Sequence, residues 1–251
     1  MDVQRLRDAL DDALTGAPTP LAAADRLCEA CVELLGVDGA SISIIDGGTM
    51  QGTFGSSGQL SRTLDELQFT YGEGPCWDAV AQHRPVLAPH LDGPGEERWP
   101  ALTQAVLGRG VQAVFALPVS LASSPVGALD LYRRSSGPLD DLSMTGGVWA
   151  AGLAALPLLE LMSSDTDWQR AAEGQGSWEQ LDSLERVEVY QATGMIVAAL
   201  QISPADAVVR LRAHAITHSL TASDVAYQIL DRRLMLGVDD WHDTGDPGGA
   251  P

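Results

Sequence analysis

The chain of 251 residues contains no lysine, and its fifteen basic residues are all arginines set against 34 acidic residues. The formal net charge is therefore −19 at pH 7. Nonspecific binding to nucleic acid or to an anionic membrane depends on neutralising phosphate charge. This balance argues against a protein that coats nucleic acid or a membrane, so any RNA contact has to come from a local arginine patch.

Cysteine is also scarce. The three cysteines, Cys28, Cys31 and Cys76, are an odd number and do not indicate a disulfide scaffold. The N-terminal residues Met1–Arg5 lack a basic and then apolar signal, and we predict no apolar run of membrane-spanning length. We therefore expect a cytoplasmic protein with reduced thiols and no membrane partner.

Metal and phosphate motifs are missing as well. Cys28 and Cys31 have the spacing of a redox or half-zinc motif, but no second Cys/His pair stands at ligand spacing. The Gly72–Pro75 segment carries an acid and a proline where a phosphate loop would need free N–H groups. We expect buried cysteines, no metal and no cofactor.

Apolar residues make up 45% of the chain, which is enough for one large or two modest domains.

Three helix-start signals recur near the C-terminus: Ser177-Trp-Glu-Gln180, Ser203-Pro-Ala-Asp206 and Thr221-Ala-Ser-Asp224. Each offers a hydroxyl that caps free N–H groups and an acceptor three residues later. With the apolar spacing that follows each start, they predict helices at 178–201, 204–217 and 222–236, the last one stopped by Gly237. A bundle this small has no room for an interior pocket, so we expect it to act through its surface.

Several separated positions of this bundle carry a family pattern: Gln191-Ala192-Thr193-Gly194-Met195-Ile196-Val197, Ala207, Leu211-Arg212, Ala215 and Asp224-Val225-Ala226. They resemble the ANTAR domain, a three-helix RNA-binding module of bacterial transcription antiterminators. The family usually has Ala-Lys-Gly where this chain has Ala192–Gly194, so a lysine contact to phosphate is missing at Thr193. The resemblance implies that hairpin loops of leader transcripts are the RNA partner. The candidate RNA-binding residues are Arg186, Tyr190, Gln191, Thr193, Gly194, Arg210, Arg212 and His214.

Gly194 lies inside a predicted helix, where glycine costs about 1 kcal/mol relative to alanine. Close helix packing and close approach of RNA both explain it, and the sequence leaves both open. Charge does not favour RNA, because residues 177–236 hold five arginines and seven acidic residues. A solvated helix face, or a bundle that docks on protein or duplex DNA, remains an alternative.

The preceding region contains short strands in runs, flanked by helices. A helix and linker are predicted at 1–19, and an apolar stripe from Leu21 to Leu35 predicts a second helix. Ala40–Ile44 then alternates with period two and leads through Asp46-Gly-Gly48 into 49–54, which is typical of a hairpin. Further strands are predicted at 85–88, 112–119 and 126–132, with helices at 77–81, 99–107 and 142–162. We expect Pro157 to kink or end the last helix near Leu156. The pattern predicts an α+β domain with a largely antiparallel sheet.

This region also carries a family pattern: Gly72-Glu-Gly-Pro-Cys76-Trp77-Asp78-Ala79, Arg84-Pro85-Val86, Arg98-Trp99-Pro100, Leu117-Pro118-Val119 and Gly127-Ala128-Leu129-Asp130-Leu131-Tyr132. These segments resemble the GAF domain, which implies a PAS-like sheet that can hold a small-molecule ligand and promote a homodimer. Tyr71, Cys76, Trp77, Asp78 and Trp99 are the candidate ligand-binding residues, although aromatic residues at such junctions also serve as lids on a core. The two resemblances together imply a GAF–ANTAR regulator. Its predicted parts are 1–19 (helix and linker), 20–162 (GAF), 163–176 (linker), 177–236 (ANTAR) and 237–251 (an acidic tail, disordered by composition).

Cys76 supports one alternative from another class of protein. It follows Gly-Glu-Gly-Pro at a predicted helix start, where free N–H groups can lower the pKa of a thiol. A thiol redox sensor or an enzyme resembling methionine sulfoxide reductases would use Cys76 and would need a resolving thiol. Structural packing is the other explanation. We expect a regulator of transcription that is not an enzyme and has no catalytic residues.

Overall fold

The computed structural model describes residues 1–46, 49–164 and 186–237. The chain divides into two compact units, Met1–Arg186 and Val187–Pro251. The hairpin turn at Gly47–Gly48, the helix start at Ser177, nearly all of the predicted linker and the acidic tail after Gly237 lie outside the described residues.

The first unit is built on a five-stranded antiparallel sheet in the order β2-β1-β5-β4-β3. Its strands are Gly39–Asp46 (β1), Thr49–Ser56 (β2), Val86–Ala88 (β3), Ala113–Leu121 (β4) and Ser124–Arg133 (β5). The predicted α+β class and the antiparallel sheet are confirmed. β4 and β5 are joined by a two-residue turn at 122–123, in which Ala122 has a positive φ of 54°.

Seven helices are described in the first unit: Val3–Leu14 (α1), Pro20–Leu35 (α2), Gln59–Tyr71 (α3), Pro75–Gln82 (α4), Pro100–Leu107 (α5), Asp141–Leu153 (α6) and Ala155–Ser164 (α7). α2, α6 and α7 pack on one face of the sheet, and α1 packs on α2 and α6. α3 and α4 cover the other face, and α5 packs on α3. The result is a sheet between two helical layers.

Local sequence explains where most of these helices begin. The side chains of Asp2, Thr19 and Asp140 accept a hydrogen bond from a backbone N–H in the first turn of α1, α2 and α6. Proline opens α2, α4 and α5, where its missing N–H has no cost. Gly36 ends α2 in the left-handed conformation.

Both faces of the sheet are interior, so a strand with alternating side chains contributes to two cores. Phe115 and Leu117 point toward the α1, α2, α6 layer, while Val114 and Ala116 pack on the α3 and α5 side. Gly127 permits the close pairing of β5 with β1. A Cβ there would lie 2.1 Å from the carbonyl oxygen of Ser43.

The apolar run predicted at 142–162 forms two helices instead of one. α6 ends at Leu153 and α7 begins at Ala155, so the break comes upstream of the expected position at Leu156. Pro157 has no N–H to donate to the carbonyl of Leu153, and its ring clashes with that carbonyl. The disruption therefore falls one turn before the proline.

The same run corrects a second expectation. Among the described residues, Asp141–Leu161 has the length and apolar composition of a membrane-spanning helix, contrary to the prediction that no such run exists. Within its most apolar window, 44% is buried inside the protein. The helices of globular cores pass the same test of length and composition.

The second unit contains three described helices: Val187–Leu200 (α8), Pro204–Thr217 (α9) and Ala222–Leu230 (α10). Ser203 caps α9, and Thr221 and Asp224 form a reciprocal capping box on α10. α10 ends at Leu230 and does not reach 236, so Gly237 is not its stop. Arg232 takes a positive φ of 57°, and the turn brings Leu236 back to 8% exposure.

Candidate functional site

A buried polar network lies between the sheet and helix α3 of the first unit. Ser41 Oγ and Tyr132 Oη are 2.9 Å apart, and the tyrosine hydroxyl donates to Asp130 Oδ2 at 3.4 Å. The Gln68 Nε2 amide donates to the same carboxylate oxygen at 2.5 Å. Ser41 and Asp130 are partners in the β1–β5 register, which places both on one face of the sheet. The network is fully enclosed, because Ser41 and Asp130 have no exposed surface.

A second carboxylate, Asp65 of α3, belongs to the same interior. It is fully buried and accepts hydrogen bonds from the Ser43 and Thr53 hydroxyls. The Arg186 guanidinium donates to Asp65 Oδ2 at 3.3 Å and also pairs with Glu66. The network therefore holds two buried aspartates and one buried cation.

Burial has a strong effect on the acidity of this network. It raises the pKa of Asp130 from its usual 3.8 to about 7; the hydrogen bond from Gln68 opposes the shift, and the nearby charge of Asp65 adds to it. Burial and the charges of Asp130 and Asp65 also raise the pKa of the Tyr132 hydroxyl well above its usual value. Asp130 consequently titrates near neutral pH, which a surface aspartate does not do.

The predicted ligand-binding residues surround the start of α4, where Gln68 organises them. Gly74 has φ 149°, and a Cβ there would lie 2.3 Å from Gln68 Oε1. The Cys76 N–H donates to that oxygen at 3.0 Å, and Trp77 Nε1 donates to the Gln68 carbonyl oxygen at 3.2 Å. Gln68 thus links the α4 start to Asp130.

The remaining predicted ligand residues face the apolar core. Trp99 is 3% exposed and donates from Nε1 to Asp78 Oδ2 at 3.2 Å. Tyr71 is partly buried against the same cluster. The geometry supports the interpretation of these residues as lids on a core. The polar interior beside them is the better candidate for a ligand site.

The structure separates Cys76 from the other two cysteines. Cys76 has no exposed surface, and burial raises the pKa of its thiol well above its usual value, with Asp130 and Asp65 adding to the shift. Its helix α4 packs on the face of the sheet opposite the core that contains Cys28 and Cys31. A nucleophilic thiol needs a lowered pKa and access to solvent, so the geometry does not support the redox interpretation.

Sequence reasoning missed the network itself. Ser41 and Ser43 alternate with apolar residues, a pattern typical of a strand with one solvent-facing side, yet that side is a second interior. The available signal was Asp130, a charged residue in the middle of the otherwise apolar strand β5. No local pattern marked Asp65 or Gln68, because both lie on a helix whose buried face includes polar residues.

In the second unit, the predicted RNA-binding residues of α8 divide between its two sides. Tyr190, Gln191 and Gly194 are exposed, with Tyr190 at 48%. A Cβ on Gly194 would meet no heavy atom within 4 Å among the described residues. Close packing by the described helices therefore does not explain this glycine. Tyr190, Gly194 and Ala198 are spaced by four, so they share one exposed stripe.

Two of the predicted RNA-binding residues are not on the surface. Thr193 is 6% exposed, and its hydroxyl donates to the Val189 carbonyl oxygen at 2.6 Å. Arg186 is 4% exposed and belongs to the first unit, where Asp65 and Glu66 satisfy its charge. Their inward position corrects the expectation that they offer groups to RNA.

The predicted residues of α9 are half-buried. Arg210 donates to the Gly237 carbonyl oxygen at 3.5 Å, and Arg212 has an intermediate exposure. The His214 ring stacks on His218, with centroids 4.0 Å apart. The exposed stripe of α8 is thus the most accessible part of the predicted RNA surface.

Residues 18–145, just over half of the chain, match the GAF domain family. No curated protein matches the chain. Among solved structures, the GAF domain from a phosphoenolpyruvate-protein phosphotransferase (ptsP) from Coxiella burnetii aligns with a TM-score of 0.52 and 17% identity, covering 65% of this chain and 96% of its own. The GAF domain from the Acinetobacter phosphoenolpyruvate-protein phosphotransferase aligns with a TM-score of 0.51 and 12% identity, covering 65% and 98%. At these identities the likeness concerns the fold alone, and the family match does not extend to the second unit.

Proposed function

The chain belongs to the GAF domain family, and from this premise we propose a two-part regulator of transcription. Its first unit senses a small ligand, and its second unit binds hairpin loops of RNA and promotes antitermination. The buried polar network of the first unit supports the sensor role, because it offers fixed hydrogen-bonding groups inside an apolar shell.

The observation that carries the RNA proposal is the exposed stripe of α8. Tyr190 offers an aromatic face on which an unpaired base can stack. Gly194 and Ala198 lie beside it on the same stripe, and their small size lets a nucleotide approach the helix backbone closely. Among the described residues, nothing packs on Gly194 that would offset its cost of about 1 kcal/mol, and a close ligand approach supplies a reason for the glycine.

Local charge permits this contact. Residues 187–237 contain four arginines and four acidic residues, so this part is neutral although the whole chain carries −19. Neutrality gives little nonspecific attraction, so binding depends on the shape and bases of the loop. Two copies of the unit in a dimer would raise the effective concentration at a second loop and offset the weak single contact.

We propose that the dimer forms along α6 and α7. Val148, Gly152, Leu156 and Leu159 are exposed along these two helices at helical spacing. The three large side chains are 53–57% exposed, which is unusual for a contiguous apolar stripe in a monomer. Leu156→Glu is expected to convert the dimer into a monomer in sedimentation experiments. A wild-type protein that sediments as a monomer would contradict the dimer.

RNA binding is tested by fluorescence anisotropy with an RNA that carries two adjacent hairpins. Stacking of one base on an aromatic side chain contributes about 1–3 kcal/mol, so Tyr190→Ala is expected to weaken binding about 5- to 150-fold. Tyr227→Ala is the matched control, because Tyr227 is a similarly exposed tyrosine (55%) on α10. Equal losses in the two variants, or wild-type protein that prefers duplex DNA, would refute the proposed surface.

The transcriptional role is tested separately. Wild-type protein is expected to increase read-through of a terminator that competes with the paired hairpins in a purified transcription reaction. Tyr190→Ala should reduce this read-through in proportion to its lost affinity. RNA binding without any change in read-through would leave an RNA-binding protein that does not act in antitermination.

A further inference from the structure

Arg186 lies in a recess of the first unit that is built to hold a cation. Its guanidinium pairs with Asp65 and Glu66, and its Cζ lies 4.3 Å above the centre of the Phe69 ring. An Nη2 atom lies 3.7 Å from Met50 Sδ. Two carboxylates and an aromatic face are the groups that bind guanidinium and organic ammonium ions in proteins.

The recess is held in place by the fold. Asp65 accepts hydrogen bonds from the hydroxyls of Ser43 on β1 and Thr53 on β2. Phe69 follows Asp65 by four residues on α3, so the ring and the carboxylate share one face of the helix. These groups keep their positions through strands and a helix that do not include Arg186, and the receptor is therefore preorganised.

A second observation points to a ligand that Arg186 does not replace. Asp130 Oδ1 is fully buried and has no hydrogen-bond partner among the described residues. Asp130 pairs in register with Ser41, two residues before the serine that binds Asp65, so both carboxylates occupy the same side of the sheet. A buried acceptor without a donor is costly, and a bound donor would remove that cost.

We propose that this recess is the ligand site of the sensor unit, that its ligand class is a guanidinium or organic ammonium ion, and that Arg186 is an internal occupant which the ligand displaces. The inference rests on the sensor role proposed above and adds its ligand class. The carboxylates of Asp65 and Glu66 disfavour an anionic ligand. Because Val187 follows Arg186 directly and begins α8, displacement frees the residue that immediately precedes the proposed RNA-binding helix.

The test is a calorimetric titration of the full chain with methylguanidinium, with methylurea as the uncharged control of similar shape. Arg186→Ala removes the internal occupant and is expected to bind methylguanidinium at least about tenfold more tightly than wild type, which follows if Arg186 fills the site about nine-tenths of the time or more. Adding Asp65→Asn to this variant should abolish the binding. Neither protein should bind methylurea.

Arg98→Ala is the matched control variant. Arg98 also lies over an aromatic ring, 4.2 Å from the centre of Trp99, and pairs with Glu96, but its side chain is 43% exposed. It should gain no affinity for methylguanidinium. A gain equal to that of Arg186→Ala would overturn the proposal, because the effect would then be general.

Arg186→Met provides a second variant, since its apolar side chain keeps part of the packing. Variants that fold and bind methylguanidinium no better than methylurea would overturn the proposal. If neither variant folds, the refolding yield decides: recovery in methylguanidinium but not in methylurea supports the site, and equal yields overturn it.

The titration contains no RNA, so the two proposals fail separately. Absent methylguanidinium binding together with Tyr190-dependent RNA binding would reject the ligand class and leave the RNA regulator standing. Methylguanidinium binding without any RNA affinity would support the ligand class and reject the RNA regulator.

Discussion

The pH dependence of stability provides a direct test of the buried network, through the substitution Asp130→Asn. The pKa of Asp130 is about 7 in the folded protein and 3.8 in its usual state. Between these values the folded state keeps a proton that the unfolded state has released, so stability is lost as pH rises from about 4 to about 7. Each pKa unit corresponds to about 1.4 kcal/mol. Between pH 5.5 and pH 8.0 this single group should remove about 2 kcal/mol from the free energy of unfolding.

Asparagine remains neutral throughout, so Asp130→Asn should lack this loss. The assay is urea unfolding of both proteins at the two pH values, followed by tryptophan fluorescence. The wild-type minus variant difference should change by about 2 kcal/mol between them, with the variant gaining relative stability at pH 8.0. Asp12→Asn, at an exposed position of α1, is the control and should follow wild type. Parallel pH curves for wild type and Asp130→Asn would refute the reasoning that a charged Asp130 is costly in this interior.

Three further outcomes are expected. Gly194→Ala should raise the stability of the second unit by about 1 kcal/mol in thermal unfolding, because a Cβ at this position meets no heavy atom within 4 Å among the described residues. Its RNA affinity, measured by anisotropy, should fall. A less stable variant would instead indicate that Gly194 has a packing role. Arg186→Ala should lower the free energy of unfolding in urea by about 3–5 kcal/mol, because Asp65 loses its buried partner. The double variant with Asp65→Asn should recover part of that loss. If the losses of the two single variants simply add, the pair is not coupled. All three cysteines are buried, and their thiol pKa values are raised. Native protein should therefore not react with a thiol-specific disulfide reagent at pH 8 over minutes, whereas unfolded protein should react fully. Rapid reaction of one native thiol would support the redox interpretation.

The Gly194 experiment also separates two properties that the sequence could not separate. A glycine inside a helix destabilises it whether the reason is packing or ligand approach. Only the surrounding atoms distinguish the two, and at Gly194 there are none within 4 Å among the described residues. A variant that is more stable yet binds RNA less well would show that the glycine serves binding.

Much of the first unit could be predicted because its signals are local. The caps and prolines that start α2, α5 and α6 act within one helical turn, and the period-two pattern of β1 is visible in a few residues. The same holds for the starts of α9 and α10 in the second unit. Local signals predict less well where helices and strands end. α10 stops six residues early because Leu236 returns to a buried position, which no cap residue announces.

Periodicity, capping and short motifs were enough to predict the sheet strands, most of the helices, the antiparallel pairing and the likeness to the GAF family. They did not predict helix α3 or the division of the 142–162 run into α6 and α7. Which polar residues are interior depends on tertiary packing and was visible only in the folded structure. Ser41 and Ser43 alternate like surface residues, yet helix α3 covers their side of the sheet. Arg186 looks like a surface arginine, yet it is buried against Asp65, which is 121 positions away along the chain. Burial of a charge depends on partners brought together by folding, and no stretch of neighbouring residues encodes that meeting.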